Sequence, residues 1–280
     1  MRSTCDSPYE KRNLDFRSAA SERVWQQQNN HRERKSGSAV FENRQMNQHH
    51  ADVGYQGVSP QVVVLKMCHE FMKNYSYLVV DSNSRQAVVV DPAWQMEKID
   101  QALAHTQAKL SGVLITHSHP DHIHLAEPIA ETYGCPIWMS KEEIAASGFR
   151  APQLIGIDAT PWAVGQMLIE PIFTPGHTQG CMCYLIADNL FTGDVLFAEG
   201  CGMCPDIEAA HAMFASLQRL KIRVKPLTCI FPGHSYGQPP GQIMRRLLKD
   251  NVYLQFSDKD SFAAFRLRSG QDPRKMFDFC

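Results

Sequence analysis

The feature that most constrains this chain is a run of metal-binding residue types at positions 116–122, which reads Thr-His-Ser-His-Pro-Asp-His. It follows an apolar run that ends at Ile115 and precedes a segment with helical periodicity. Burying three imidazoles and a carboxylate so close together costs several kcal/mol unless something compensates them. A divalent metal would compensate them, and an exposed polar loop is the alternative. The sequence therefore predicts a metal centre where a strand ends.

The spacing inside this run divides it into two parts. His117 and His119 alternate on an extended segment, so their side chains can turn the same way. Asp121 and His122 lie on the turn into the helix and can point elsewhere. One run can therefore supply ligands to two adjacent metal positions.

Three more candidate ligands follow apolar strands later in the chain. His177 lies in Pro-Gly-His-Thr, Asp194 in Thr-Gly-Asp, and His234 in Pro-Gly-His. In each case a neighbouring glycine lets the backbone turn tightly. A lone histidine at a strand end is usually an ordinary loop residue. All three in this order, after the first run, predict the remainder of a ligand set.

The rest of the pattern predicts strands that outnumber helices and alternate with them irregularly. This favours an α/β (α+β) fold with mixed sheets packed between helices. Strands are expected at 62–67, 75–80, 87–90, 113–115, 137–139, 168–173, 182–186, 190–191 and 229–231, and helices at 96–104, 123–133, 142–146, 208–220 and 242–249.

Residues 1–54 differ in composition from the remainder. They hold ten Asn or Gln residues and sixteen charged ones, but only fifteen apolar residues and no periodicity. Such a segment buries too little apolar surface to offset the entropy of ordering it. We therefore expect a flexible, disordered leader at 1–54 and one folded domain at 55–280.

Net charge, the length of apolar runs and the cysteine content argue against several classes of protein. The formal net charge of −1 argues against bulk binding to nucleic acid. No apolar run approaches the ~18 residues that span a bilayer, and the first residues lack the apolar core of a secretory signal. The nine cysteines are an odd number, so we expect reduced thiols and a cytoplasmic protein. Cys201 and Cys204 form a C-x-x-C, for which a redox or structural zinc role is the alternative to packing.

The motifs together resemble the metallo-β-lactamase superfamily, in particular its glyoxalase II-like branch, from about Val62 onward. The resemblance implies a four-layer αββα sandwich with two zinc ions at one edge, although imidazole and carboxylate also accept iron or manganese. It implies that Asp91 is not a metal ligand and instead supports the residues that are. The ligands that it implies are His117, His119 and His177 for the first metal, Asp121, His122 and His234 for the second, and Asp194 as the bridge.

A closer resemblance lies in 191–197, 199–204 and 231–241, which are similar to the zinc-dependent hydrolases of trans-acyltransferase polyketide biosynthesis. That family implies hydrolysis of acyl thioesters on acyl carrier protein domains, which removes stalled chains. The expected partners are those carriers and small acyl thioesters, with neither nucleic acid nor a membrane.

If the chain hydrolyses acyl thioesters, we expect two residues to have catalytic roles. Asp121 would ligate a metal and orient or deprotonate the nucleophile. Tyr236 would donate a hydrogen bond to the substrate or oxyanion, or it packs beneath the site. The cations of the C-terminal third, among them Arg245, Arg246 and Arg268, would dock the carrier, or they form an ordinary solvated face.

Three other functions remain open from the sequence. A glyoxalase II-like enzyme would cleave S-acylglutathione with the same ligands, although only 46 residues follow His234. A persulfide dioxygenase would use one iron. A non-catalytic binding module would have lost ligands, whereas all seven are present.

Overall fold

A computed structural model describes residues 59–70 and 72–269 of the chain. The leader expected at 1–54 lies outside the described residues, so that expectation stays a prediction. Within the described ranges, no helix is both long enough and apolar enough to cross a bilayer.

The first sheet contains six strands in sequence order. Its first three strands are antiparallel, and the later ones join by parallel pairing. The central strands are β-branched on both faces, as Val88, Val89 and Val90 show, because both faces are covered. The strands are β1 (Gln61–His69), β2 (Met72–Val80), β3 (Gln86–Val90), β4 (Lys109–Leu114), β5 (Ile137–Ser140) and β6 (Leu154–Ile157).

The second sheet also has six strands, in the order β12-β11-β10-β9-β8-β7, and its one parallel pair is β10 with β11. Strands β8, β10 and β11 run in the same direction, so their carboxyl ends meet at one edge. The strands are β7 (Trp162–Val164), β8 (Met167–Phe173), β9 (Met182–Ile186), β10 (Asn189–Gly193), β11 (Cys229–Pro232) and β12 (Gln242–Ile243).

Helices cover the outer face of each sheet. The principal ones are α1 (Met96–Thr106), α2 (Pro120–Ile123), α3 (Ala126–Tyr133), α4 (Lys141–Ser147), α5 (Ile207–Arg223), α6 (Met244–Asp250) and α7 (Lys259–Arg266), with a 3-10 turn at Val252–Leu254. Three apolar cores separate four layers. One lies between the sheets, one beneath α1 and α3, and one beneath α5 to α7. This is the expected αββα sandwich.

Two helices that the sequence predicts differ in the structure. The helix expected at 123–133 is interrupted at Leu125, whose amide donates to Pro92 O at 3.0 Å, so α2 and α3 are separate. The first two residues of the helix expected at 242–249 instead form β12, paired with Cys229 and Ile230. In both cases a partner distant in sequence overrides local propensity. The sequence pattern did not predict strands β6 and β7 or helix α7.

Candidate metal centre

Three imidazoles converge at the edge where β4 and β8 end. We call His117, His119 and His177 the first ligand group. Nε2 of His117 lies 3.1 Å from Nδ1 of His119, and Nε2 of His177 lies 2.9 Å from the same atom. The three nitrogens lie close enough together to share one cation.

A second ligand group lies beside the first and consists of Asp121, His122 and His234, all buried. Asp121 and His122 come from α2, and His234 follows β11. Oδ2 of Asp121 lies 3.1 Å from Nε2 of His234 and 3.5 Å from Nε2 of His122. One carboxylate and two imidazoles therefore form a compact donor set.

Asp194 lies between the two groups at the end of β10. Its Oδ2 is 3.5 Å from Nε2 of His177 in the first group and 3.5 Å from Nε2 of His234 in the second. Its Oδ1 is 3.5 Å from Nε2 of His122. Gly193 has φ +48°, and a Cβ there would overlap the Thr116 side chain, so glycine is needed to bring Asp194 inward. The structure thus brings all seven predicted ligands together.

Hydrogen bonds behind the rings decide which nitrogen faces inward. Nδ1 of His177 donates to Met203 O at 2.9 Å, and Nδ1 of His234 donates to Lys73 O at 2.9 Å. A carbonyl oxygen only accepts, so each proton sits on Nδ1 and leaves the lone pair of Nε2 pointing into the site. This is the tautomer that a metal ligand requires.

Asp91 performs the same task for two further rings, from a position that is 2% exposed. Its Oδ2 accepts Nδ1–H of His122 at 2.9 Å, and its two oxygens accept the amide and the hydroxyl of Thr116 at 2.7 and 2.6 Å. Since the Thr116 hydroxyl gives its proton to Asp91, its oxygen accepts Nδ1–H of His117 at 3.1 Å. Asp91 thus lies behind the site, as the resemblance implies.

The two groups differ in their protonation. Burial lowers the pKa of His117 well below its ordinary value and also lowers the pKa of His119, and neighbouring imidazoles add to both shifts. Burial also acts to lower the pKa of His122, but the carboxylates of Asp121, Asp194 and Asp91 outweigh it and raise that pKa to about 10. His117 and His119 therefore favour the neutral imidazole, whereas His122 favours the imidazolium when no metal is bound.

The remaining members of the second group follow the same balance of charges. At His234, burial is outweighed by Asp194 and Asp121, so the pKa rises. At Asp121, burial opposes ionisation, but His122 and His234 hold the pKa below its ordinary value. Asp121 is therefore a carboxylate at neutral pH.

The residues fit a bound metal. Nε2 of His122 and Oδ1 of Asp194 are buried and have no hydrogen-bonding partner among the described residues. Buried polar atoms without a hydrogen bond are costly, and a cation bound between these two would offset that cost. Nitrogen and carboxylate donors without thiolate suit zinc and also accept iron or manganese.

Tyr236 lies one side chain further out. Its ring packs edge-on against Phe197, at 5.3 Å between centroids, and Phe197 packs against His234 at 6.3 Å. Burial and the nearby Asp194 raise the pKa of Tyr236, so it keeps its proton at neutral pH. Its role as a donor to substrate stays a prediction.

The C-x-x-C lies in the loop after β10, which contains Met203, the residue whose backbone oxygen orients His177. Cys201 and Cys204 are both buried free thiols, and burial raises the pKa of Cys204 to about 12. A thiol of this kind stays protonated and unreactive. The loop contributes to the site through the backbone oxygen of Met203.

Sequence reasoning missed one buried carboxylate, Glu143, which accepts hydrogen bonds from Ser118 and Thr178 beside the first group. Ser140-Lys-Glu-Glu143 has the S-x-x-E pattern of a helix cap. That pattern was the available signal, but it predicts only a local bond.

Comparison with known proteins identifies relatives. A family model described as the metallo-beta-lactamase superfamily matches residues 70–234. The chain is 45% identical over 213 residues to the "Probable polyketide biosynthesis zinc-dependent hydrolase BaeB" of Bacillus velezensis, covering 75% of this chain and 95% of the relative. It is 41% identical to the similarly named PksB of Bacillus subtilis, covering 77% and 96%.

More distant similarities agree in fold. A "Hydroxyacylglutathione hydrolase" of Alkalilimnicola ehrlichii is 31% identical, covering 74% of this chain and 79% of the relative. A crystal structure of a metallo-beta-lactamase from Staphylococcus aureus superimposes with a TM-score of 0.69 at 20% identity, covering 79% of this chain and 73% of that chain. At that identity the likeness concerns the fold alone.

Proposed function

Because the chain belongs to the metallo-beta-lactamase superfamily, we propose that it is a zinc-dependent hydrolase that removes acyl groups from acyl carrier proteins of a polyketide synthase by cleaving the thioester. The observation that carries the hydrolase part is the position of Asp194 between two ligand groups, which suits a pair of metal ions. The names of the two bacillary relatives support zinc and polyketide biosynthesis.

The residues that would hold two zinc ions are the six ligands of the two groups together with Asp194. Zinc supplies a Lewis acid for the carbonyl oxygen and lowers the pKa of a bound water to about 7. The chain supplies orientation. Met203 O, Lys73 O, Asp91 and Thr116 hold the imidazoles with their lone pairs inward.

Two side chains suit thioester cleavage. Asp121 is ionised at neutral pH, so it can accept a proton from a nucleophilic water and orient it. Tyr236 keeps its proton and can donate to a developing oxyanion. The leaving thiolate belongs to a thiol of pKa ~8.5, so the reaction demands no strong general acid.

The carrier would dock near the open edge that holds the two ligand groups. Arg245 lies elsewhere, because its amide donates to Pro226 O ahead of β11, whereas His234 follows that strand. Strand β11 has four residues, so its two ends lie roughly 13 Å apart.

Arg268 is the better candidate for the docking residue. It is exposed, and its guanidinium stacks on the ring of Phe265. It also donates to the hydroxyl of Tyr253, whose ring packs beside Gly200 in the loop between Asp194 and Met203.

The test is mass spectrometry of acetyl-carrier protein incubated with the zinc-loaded full chain, in parallel with S-lactoylglutathione. Fast loss of the acyl mass from the carrier, with the glutathione ester spared, is the expected result. The reverse preference would instead support a glyoxalase II-like enzyme, which the similarity to the Alkalilimnicola relative favours as second candidate. Loss of neither ester by a protein that binds two metals would refute thioester hydrolysis.

The docking site has its own test. Arg268→Glu should raise the apparent KM for the acyl-carrier several-fold, since it reverses a charge near the site, and it should leave the KM for a small acyl thioester unchanged. Arg245→Glu is the matched control and should change neither. Equal effects of the two variants on carrier KM would count against docking at Arg268.

A further inference from the structure

Glu143 is a buried carboxylate that the seven predicted ligands do not include. It lies in the first turn of α4 and is 1% exposed. An ionised carboxylate at such a position needs several hydrogen-bond donors to offset its lost hydration. The partners of Glu143 show what it holds.

Each carboxylate oxygen of Glu143 binds one of the two loops that form the first ligand group. Oε1 accepts the amide of Ser118 at 2.7 Å and its hydroxyl at 2.5 Å, and Ser118 lies between His117 and His119. Oε2 accepts the hydroxyl of Thr178 at 2.6 Å and the amide of Gly180 at 3.0 Å, and Thr178 follows His177. One carboxylate therefore joins two loops that are about 60 residues apart in sequence.

The backbone of α4 strengthens the same junction. The hydroxyl of Ser140, which caps α4, accepts the amide of Glu143 at 2.9 Å and donates to Gly180 O at 2.5 Å. A Cβ on Gly180 would overlap the backbone of Glu143, so the close approach requires glycine there. The helix start and the two loops thus form one packed unit.

The four hydrogen-bonding partners of Glu143 match the acceptor sites of a carboxylate. All of them are N–H or O–H groups, and four acceptor sites are what a carboxylate offers. A glutamine of the same shape has one oxygen, and in either orientation its NH₂ would face a backbone N–H, that of Ser118 or that of Gly180. Substitution by glutamine would therefore disturb one of the two loops of the first group while preserving side-chain volume.

We propose that Glu143 is a positioning residue that sets the metal affinity of the first ligand group, and not of the second. It fixes the separation of the loop of His117 and His119 from the loop of His177. The second group lies outside its reach, because Asp91 and Lys73 O orient His122 and His234. This inference rests on the proposed binding of two zinc ions.

The test compares zinc binding by the full chain and by Glu143→Gln, through competition with a chelating dye and a count of bound metal. We expect two zinc ions in the parent. In the variant, one site should keep its affinity and the other should weaken about 10- to 100-fold, as loss of a residue that orients ligands does. In a His234→Ala background, where the first group alone is complete, Glu143→Gln should weaken the remaining site by the same factor.

The control variant is Asp81→Asn. Asp81 is also buried, at 3% exposure, and also accepts several bonds, from Asn83, Ser84 and Gln166. It follows β2 at the end opposite Asn74, which contacts Asp121. Asp81→Asn should lower the melting temperature without changing zinc affinity, which separates positioning from a structural role.

Two zinc sites of parental affinity in Glu143→Gln would overturn the inference and leave the proposed function intact. A parent chain that binds no zinc would overturn both. If Glu143→Gln does not fold, Thr178→Val removes one of the four bonds at nearly constant volume. It should weaken the first group by a smaller factor, and parental affinity in that variant would also overturn the inference.

Discussion

The two ligand groups use similar residues, yet opposite electrostatics surround them. The first contains three imidazoles, and burial lowers the pKa of His117 and His119, so they stay neutral. The second adds Asp121, and the carboxylates around it raise the pKa of His122 and His234. Neutral rings are ready to bind a cation, whereas charged rings must first lose a proton. Neighbouring sites of one centre can therefore differ in metal affinity and in pH dependence.

The supports of the two groups also differ. Glu143 holds the first through loop residues that are not ligands, namely Ser118 and Thr178. Asp91 holds the second directly, through Nδ1 of His122. A change in the first support should move loops, whereas a change in the second should alter the basicity of one ring. The comparison suggests four experiments, beginning with the residue that the groups share.

Removing the shared carboxylate should have the largest effect. Asp194→Ala takes away the oxygens that face His177, His234 and His122, so both groups lose a donor. We expect bound metal to fall below two ions and turnover of the acyl thioester to fall by at least about 100-fold, more than loss of an orienting residue costs. Metal analysis and steady-state kinetics measure this.

The control for that experiment is Asp188→Asn, which removes an exposed carboxylate paired with Lys225 at 3.7 Å. It should match the parent in both measurements. Full metal content together with full turnover in Asp194→Ala would rule out a bridging role.

Asp91→Asn should mirror Glu143→Gln on the other side of the centre. Asparagine cannot satisfy the ring of His122 and both donors of Thr116 as a carboxylate does. We expect zinc affinity to fall about 10- to 100-fold at the second group, and by a smaller factor at the first, because Asp91 reaches His117 only through Thr116. The dye competition assay measures it. Weakening confined to the first group would show that the two supports are not separate.

Metal binding to the second group should depend on pH. In the metal-free protein the pKa of His122 is raised to about 10, so its ring is an imidazolium at neutral pH, and the pKa of His234 is raised in the same direction. Zinc must displace a proton from each charged ring, so affinity should rise with pH, by up to about tenfold per pH unit for each proton displaced. Calorimetry in two buffers of different ionisation enthalpy counts the protons released.

His117 and His119 should add little to this pH dependence near neutral pH, because their pKa values are lowered. The same shifts have a stability consequence. Raised pKa values at His122 and His234 stabilise the metal-free fold below about pH 6.5, and that contribution is lost as pH rises through the folded values. Equal proton release at both groups would contradict the comparison.

The smallest effect should come from Tyr236→Phe. Tyr236 contacts Phe197 and lies outside both groups, so metal content should not change. Loss of one hydrogen bond of ordinary net strength, ~1 kcal/mol, should lower kcat about 10-fold or less, with KM nearly constant. Unchanged kcat would reduce Tyr236 to a packing role.

Much of the fold could be predicted because its pattern is local. The apolar runs at 87–90 and 182–186 predict buried strands directly, and Gly134 ends α3 in the left-handed region at φ +62°. The errors occurred where a distant partner competes. The amide of Leu125 bonds to Pro92 O, and Gln242 and Ile243 pair with β11, and no local periodicity records either contact.

The donor chemistry of the centre could be predicted from sequence, because ligand type and strand-end glycines are properties of short segments: His117, Asp194 and His234 each follow an apolar strand. How those segments meet, and which residues support them, depends on the packing of the two sheets. Glu143 has the sequence of a local helix cap, yet its carboxylate bonds to Ser118 and Thr178. That choice depends on burial and on loops brought together by the two sheets, where an ionised carboxylate is stable only with donors from more than one segment.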